Sequence, residues 1–318
     1  MMLNNEKVSI IGCGTMGHSI ALSASLAGVV VKVWGNDRED IERGKKGLSE
    51  KLQVLEKYQV ISSEEVEQID RRIMFTDVLD ECLNGATFII EAIPEKLPLK
   101  QEWFQKLDQL CGEETILASN TSGLSPSEIA KYTKSPERTV VTHFWNPGHL
   151  IPLVEIVRGK YTSDRTVERS LDLLKKMNKK PIVVQKEILG AIGNRLQYAL
   201  FREAQYILEQ GAATIEDIDA AVRYSIGRRL PVTGPFLSAD MGGLDVFESI
   251  SSYLFPDLSD SPVSMSAMKG CVEEGRYGQK NGAGFYEWTP AFSEQMNEER
   301  ERELIEWLKK DLRELQER

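Results

Sequence analysis

The chain has 318 residues, 41% of them apolar and 28% charged, with a formal net charge of −10 at pH 7. That length and balance suit a folded protein with a nucleotide-binding domain and a second domain of about a hundred residues, and they exclude a disordered chain. The acidic charge argues against a general binder of nucleic acid or anionic membrane, and no apolar run approaches the ~20 residues needed to span a bilayer. No charged-then-apolar leader precedes the first apolar run, so the expected location is the cytoplasm. Cys13, Cys82, Cys111 and Cys271 lie far apart with no C-x-x-C pair, which indicates neither a disulfide framework nor a metal site.

Residues 7–11 read as a short β run feeding directly into Gly12-Cys13-Gly14-Thr15-Met16-Gly17, after which an Ala/Leu/Ser-rich helical stretch runs to Gly28. This is the G-x-G-x-x-G pattern in the setting it requires, between a strand and a helix. The first glycine permits a tight turn, the second lets the backbone approach a pyrophosphate, and the third lets helix and strand pack closely. The helix N-terminus then faces the anion. Thr15 and Met16 sit inside the same loop. A second strand, residues 29–34, should end in an acid that holds the adenosine ribose, but Gly35 follows Trp34. Asp37 reaching the ribose would keep NAD as the cofactor; Arg38 pairing with a 2′-phosphate would favour NADP. NAD is the preferred reading.

Residues 38–74 read as two charged helices, with Lys45, Lys46, Lys51 and Lys57 on the first and Glu64, Glu65 and Glu67 on the second. Charge alone makes them a solvated hairpin; the sharper reading is a lysine-bearing arm for phosphate groups. Residues 86–93 form the next β run, ending at Pro94-Glu95 and followed by a helix with Lys100, Trp103 and Phe104. Another strand, 115–119, ends in Asn120-Thr121-Ser122-Gly123. A parallel sheet would put these polar groups on the edge where open α/β sheets bind ligands.

His143, one of three histidines, stands near the end of the apolar run 140–144, just before Asn146-Pro147-Gly148, and Glu155 lies inside the β run 152–157. A histidine and an acid set among apolar strand residues are the form a general base and its orienting carboxylate take, since a buried carboxylate needs a partner. Beyond residues 182–184 the pattern turns helical. Positions 196, 200, 204, 207 and 208 make one apolar face, Gly211 is a cap, and Thr214 opens a further helix with Glu216 and Asp217 in its first turn. Leu304, Leu308, Leu312 and Leu315 recur at helical spacing in the tail, which reads as an amphipathic helix packed on the body or on a partner subunit.

The expected fold is therefore α/β: a Rossmann-type domain with an inserted helical hairpin over residues 1–186, then an all-α domain over 187–318. Together these segments resemble the L-3-hydroxyacyl-CoA dehydrogenase family over nearly the whole chain. The likeness is carried by the Gly12–Gly17 loop, IIEAIPE at 89–95, SNTS at 119–122, HFWNP at 143–147, LVE at 153–155, GAIGNR at 190–195, DID at 217–219, GPF at 234–236, GLD at 243–245 and GAGFY at 282–286. The resemblance implies nicotinamide-dependent oxidation of an L-3-hydroxyacyl-CoA to the 3-ketoacyl-CoA by a homodimer. His143 would be the base and Glu155 its partner, with Ser122 and Asn194 on the substrate oxygen and Lys51 on the CoA. Glu95, Lys100, Asn120, Asn146 and Lys280 would line the cofactor. Two departures point elsewhere. Tyr58 stands where the family often has a lysine, and the stretch 194–204 also resembles the branch that oxidises free 3-hydroxy acids, the carnitine and gulonate dehydrogenases and lambda-crystallins, where Arg228-Arg229 could hold a carboxylate.

Overall fold

In the computed structural model, which describes residues 6–317, alternating strands and helices build one eight-stranded sheet followed by helices. In chain order the elements are β1 (Val8–Ile11), α1 (Thr15–Leu26), β2 (Val31–Trp34), α2 (Arg38–Lys57), α3 (Ser63–Arg71), β3 (Ile73–Thr76), α4 (Leu79–Leu83), β4 (Phe88–Glu91), α5 (Leu97–Leu110), β5 (Ile116–Ser119), α6 (Pro126–Ile129), β6 (Thr139–Phe144), β7 (Leu153–Val157), α7 (Asp164–Lys176) and β8 (Lys180–Val184). They continue with α8 (Gly193–Glu209), α9 (Ile215–Tyr224), α10 (Ile226–Arg229), α11 (Pro235–Gly242), α12 (Leu244–Leu254), α13 (Ser266–Glu273) and α14 (Pro290–Gln316). Among the described residues no helix is long and apolar enough to cross a membrane.

The sheet order is β3-β2-β1-β4-β5-β6-β7-β8, with every neighbouring pair parallel except β6 and β7. The chain therefore leaves β1, β4, β5 and β6 at one edge, where the glycine loop, Glu91, Ser119 and His143 all lie. The central strands β1, β4, β5 and β6 are buried along their whole length, as a sheet covered on both faces requires. One apolar cluster joins α1, α2 and α7 to one face; a second joins α4, α5 and α6 to the other.

The expected hairpin forms, but its second arm ends earlier. Ser62 and Glu65 make a reciprocal capping box at the start of α3, and Met74 belongs to β3 where the sequence pattern predicts helix. β3 gives no clear sequence signal because it is a four-residue edge strand with only Ile73 buried. The compact units also divide later than residue 186: one comprises the chain through Asn194 together with Glu299 onward, the other Arg195–Glu298. In the second unit few side chains are buried, Gln205, Met265 and Cys271 among them, whereas many apolar ones are exposed.

The tail helix does pack on the body, on a stripe displaced by one position from the leucine repeat. Ile305 is fully buried in the core cluster with Leu304 and Leu308 against it, while Leu315 is exposed. Ile305→Ala should therefore cost the sheet-bearing unit about 2–4 kcal/mol in urea unfolding, the usual loss for emptying a packed core position. A cost near zero would mean that the helix does not belong to that core.

Candidate active site

Three glycines shape the edge above β1 for different reasons. Gly12 has φ +105°, and a Cβ there would stand 2.8 Å from the Ala92 carbonyl oxygen; at Gly17 it would fall 1.8 Å from the Gly12 oxygen. Gly14 has nothing within 4 Å of a Cβ and caps α1 with no side-chain hydrogen bond, and no acid occupies the first turn. The N–H groups of that turn, beside Thr15, Met16 and Gly17, thus face open space with the positive end of the helix dipole. This is what a dinucleotide pyrophosphate needs, so the residues present fit the cofactor.

Gly35 has a packing cause. A Cβ there would approach Ile41 Cγ1 to 2.7 Å and Cys13 Sγ to 2.9 Å, so close contact between β2 and α2 demands glycine and leaves no acid at that position. The exposed carboxylate of Asp37 stands two residues on. It caps α2 by accepting the Asp40 N–H at 2.8 Å and the Asn36 amide at 3.1 Å, contacts that hold it below the ordinary carboxylate range.

At the ends of β4 and β5 a buried network fixes the next group of residues. Glu91 is fully buried; its carboxylate accepts from Lys100 Nζ at 2.6 Å, from Ser119 Oγ at 2.6 Å and from the Ile93 N–H at 2.8 Å. Burial pushes the Glu91 carboxyl up, against the pull of Lys100. Lys100 also donates to the Ile93 carbonyl and lies 3.4 Å from Glu95, and Glu95 in turn accepts from Thr121 Oγ1 and the Ser122 N–H. The family resemblance puts Lys100 on the cofactor lining, but at 1% exposure it works from beneath, holding Glu95 and the Ser122 loop. Asn120 likewise ties strand to strand, its Oδ1 accepting the Phe144 N–H at 2.9 Å.

His143 and Glu155 are direct cross-strand partners in the antiparallel β6–β7 pair, facing the same side as Val141 and Val157. His143 Nδ1 lies 2.9 Å from Glu155 Oε2. That oxygen also accepts from Trp145 Nε1 at 3.2 Å, and Oε1 accepts the N–H groups of Ile192 at 2.8 Å and Gly193 at 3.0 Å, at the start of α8. Burial alone would raise the Glu155 carboxyl, but the His143 bond and the two backbone N–H groups hold it below its ordinary value. A carboxylate partner fixes Nδ1–H, leaving the Nε2 lone pair free. His143 and Ser122 line one cavity of about 350 Å³ with Leu97, Leu124, Val157 and Ala191. Asn194 joins them, its amide donating to the Ser122 carbonyl at 3.2 Å.

Trp145 is a site residue that sequence reasoning misses, although its place beside His143 is visible there. A Cβ on Gly193 would lie 2.3 Å from the Trp145 ring, so that glycine is what lets α8 begin against it. Asn146 is exposed in the turn after β6. Lys51 sits half-buried on α2, which packs on the opposite face of the sheet from the histidine pair, with Glu50 and Glu301 as charged neighbours. Lys280 is exposed in the turn closed by the Gly278–Ala283 bridge of the other unit. Among the described residues no cluster of His, Cys, Asp and Glu is arranged to hold a metal ion.

Comparison with known proteins accounts for this arrangement. The model of the 3-hydroxyacyl-CoA dehydrogenase NAD-binding domain matches residues 7–188, and that of the C-terminal domain matches 190–288. The chain belongs to the 3-hydroxyacyl-CoA dehydrogenase family. Its cofactor is NAD. It is 34% identical over 301 residues to the 5-formyl-3-hydroxy-2-methylpyridine 4-carboxylate 5-dehydrogenase of Mesorhizobium japonicum, covering 94% of this chain and 96% of the relative. It is 35% identical over 284 residues to a probable 3-hydroxybutyryl-CoA dehydrogenase of Bacillus subtilis, covering 89% and 97%. The crystal structure of a 5-formyl-3-hydroxy-2-methylpyridine 4-carboxylic acid 5-dehydrogenase, described as an NAD+-dependent dismutase, superposes with TM-score 0.88 at 33% identity over 96% of this chain and 97% of that one.

The environment of Glu155 sets a pH dependence. Its carboxyl is lower in the folded chain than its ordinary 4.5, so the stability it contributes is fully present above that pH and is lost as pH falls through the folded value. Chemical denaturation of the wild type and Glu155→Gln should show the wild type losing ground to the variant as pH drops below 4.5. A pH-independent gap would mean that the carboxylate is not held as described.

Proposed function

We propose that this protein oxidises the hydroxyl of a 3-hydroxy acid, or of a closely related carboxylated alcohol, to a carbonyl, with His143 as general base and Glu155 as its orienting partner. The observation that carries this reading is the bond from His143 Nδ1 to the buried Glu155 carboxylate, which leaves Nε2 as the basic atom beside a cavity shared with Ser122. When bound, NAD supplies the acceptor for the hydride that leaves the carbinol carbon. The hydroxyl proton passes to His143 Nε2 as the C=O bond forms, and Glu155 stabilises the resulting imidazolium. The Ser122 hydroxyl and the Asn194 amide donate to the reacting oxygen, where losing one well-placed donor costs on the order of a hundredfold in rate. In reduction, His143 returns the proton. By the family pattern Asp37, Glu95, Asn120 and Asn146 complete the cofactor contacts within the sheet-bearing unit.

The family's namesake substrate is an L-3-hydroxyacyl-CoA, with Lys51 on the carrier. The tail helix favours a carrier-free substrate instead. α14 lies beyond both matched segments, and the Mesorhizobium relative, named for a carrier-free pyridine carboxylate, aligns over more of this chain than the Bacillus one. Glu301 of α14 also stands in the electrostatic neighbourhood of Lys51, offsetting charge that a CoA phosphate would use. A homodimer through the helical unit fits its exposed apolar side chains, Phe236 at 88%, Met241 at 74% and Phe255 at 67%.

The test follows NADH oxidation with acetoacetyl-CoA and with a panel of free 3-keto acids and carboxylated aromatic aldehydes. Turnover of free acids should exceed that of the thioester, and His143→Ala and Glu155→Gln should each lose about a thousandfold while still binding NAD. Near-normal rates in either variant overturn the roles of base and orienting partner. Rapid turnover of the thioester alone restores the acyl-CoA reading.

A further inference from the structure

The proposed chemistry uses one histidine. A second, His149, lies in the loop that joins β6 to β7, between the strand carrying His143 and the strand carrying Glu155, and it is 4% exposed. Its partner is Ser19, fully buried on α1, the helix whose N-terminus receives the cofactor phosphates. The His149 N–H donates to Ser19 Oγ at 3.2 Å, and Ser19 Oγ lies 2.9 Å from His149 Nδ1. Ser19 Oγ can give its own hydrogen to Nδ1 while accepting the backbone N–H, an arrangement in which His149 is the neutral Nε2–H tautomer. Burial first, then the charges of Lys51, Lys179 and His18, push this imidazole down to about 3, so the neutral form persists across the working range.

The same loop is gripped from its other side. Lys179, almost wholly buried just before β8, donates from Nζ to the carbonyls of Gly148 at 2.6 Å and Ile151 at 3.0 Å. Gly148 lies beside α1, where a Cβ would make ordinary contact with Ser19 Oγ at 3.4 Å and Met16 Cε at 3.6 Å. A buried Ser–His pair stabilises little by itself, since each group gives up water to make its bonds. Its effect is to fix a place: it registers the turn that carries Asn146 against the first turns of the cofactor helix.

We propose that Ser19 and His149 form a positioning latch that couples NAD docking at α1 to the placement of the Asn146 turn and, through it, of the strands bearing His143 and Glu155. The latch rests on NAD lying at the N-terminus of α1.

The test measures NAD affinity by titration calorimetry, and thermal unfolding in parallel, for the wild type, Ser19→Ala, His149→Leu, His149→Asn and the Ser19→Ala/His149→Leu double variant. His149→Asn can set an acceptor oxygen where Nδ1 stands. Ser19→Ala and His149→Leu should each weaken NAD about tenfold, His149→Asn should stay within about threefold of the wild type, and the double variant should be no weaker than the worse single one. A non-additive loss of that kind, with rescue by asparagine, is not produced by general loosening of the fold. The proposal is overturned if folded single variants bind NAD within about twofold of the wild type while melting lower, or if the two losses multiply in the double variant. If His149→Leu does not fold, Ser19→Ala and His149→Asn still decide it, because the first must weaken NAD and the second must not. A wild type that binds no NAD would defeat the premise at α1, which is a different failure from unchanged binding in the variants.

Discussion

Burying the carboxylate of Glu155 is the constraint around which this site is organised. An ionised carboxylate taken out of water costs several kcal/mol unless its oxygens are satisfied, and here four donors reach it: the imidazole of His143, the indole of Trp145, and the N–H groups of Ile192 and Gly193. Each donor imposes something on the fold. His143 can reach only if β7 runs antiparallel to β6 in the observed register, which breaks the parallel order of the sheet at that point. The two N–H groups are available because α8 begins there, where a helix leaves its first amides unpaired and its dipole favours an anion. To aim them, the chain takes left-handed conformations at Gly190 and Ala191, with φ +77° and +47°. For Ala191 that costs on the order of 1 kcal/mol, which the hydrogen bonds offset.

The same edge holds a second buried carboxylate with the opposite balance. At Glu91 desolvation prevails and the carboxyl is pushed up despite Lys100; at Glu155 the hydrogen bonds prevail and it is held down. The difference fits their tasks. In the proposed mechanism Glu155 carries charge to favour the imidazolium on its partner, whereas Glu91 anchors Lys100 and Ser119 and so holds the Glu95 and Ser122 segment from below. Lys100 therefore acts through Glu95, a division of labour that a cationic residue near a cofactor loop does not reveal by its type alone.

What can be read in the sequence follows the range of the causes. The glycine loop is legible because its pattern is local: strand, turn and helix are contiguous, and Gly17 answers to Gly12 within the same loop, although the close approach at Gly12 is to Ala92, just past the end of β4. His143 and Glu155 stand out because polar groups among strand-forming residues need a partner, and a short reversal lets them supply one another. Gly35 is opaque because its reason lies in Ile41 and Cys13, side chains that meet it only once β2 and α2 have packed. Ile305, next to a leucine of the tail repeat, is the fully buried member of the stripe because α14 meets the core on a face that periodicity cannot orient. Trp145 needs Gly193, far along the chain, before its indole can count as part of the site.

A similar distinction separates the reaction from its substrate. Removing a hydride and a proton from a carbinol asks for a base, an oriented acid behind it and donors at the oxygen, and the proposed roles of His143, Glu155, Ser122 and Asn194 place all of these at the ends of β5 and β6, on β7 and at the start of α8. In the proposed reading, the choice between a thioester on a long phosphorylated carrier and a free carboxylate falls to elements around the reaction core, above all α2 with Lys51 and the tail helix that brings Glu301 near it. A family can keep the His–Glu pair in register while exchanging those elements, because the register depends on β6, β7 and α8 and not on the surfaces where carriers dock. The helix beyond the shared domains is therefore the element on which the proposed preference for a carrier-free substrate turns.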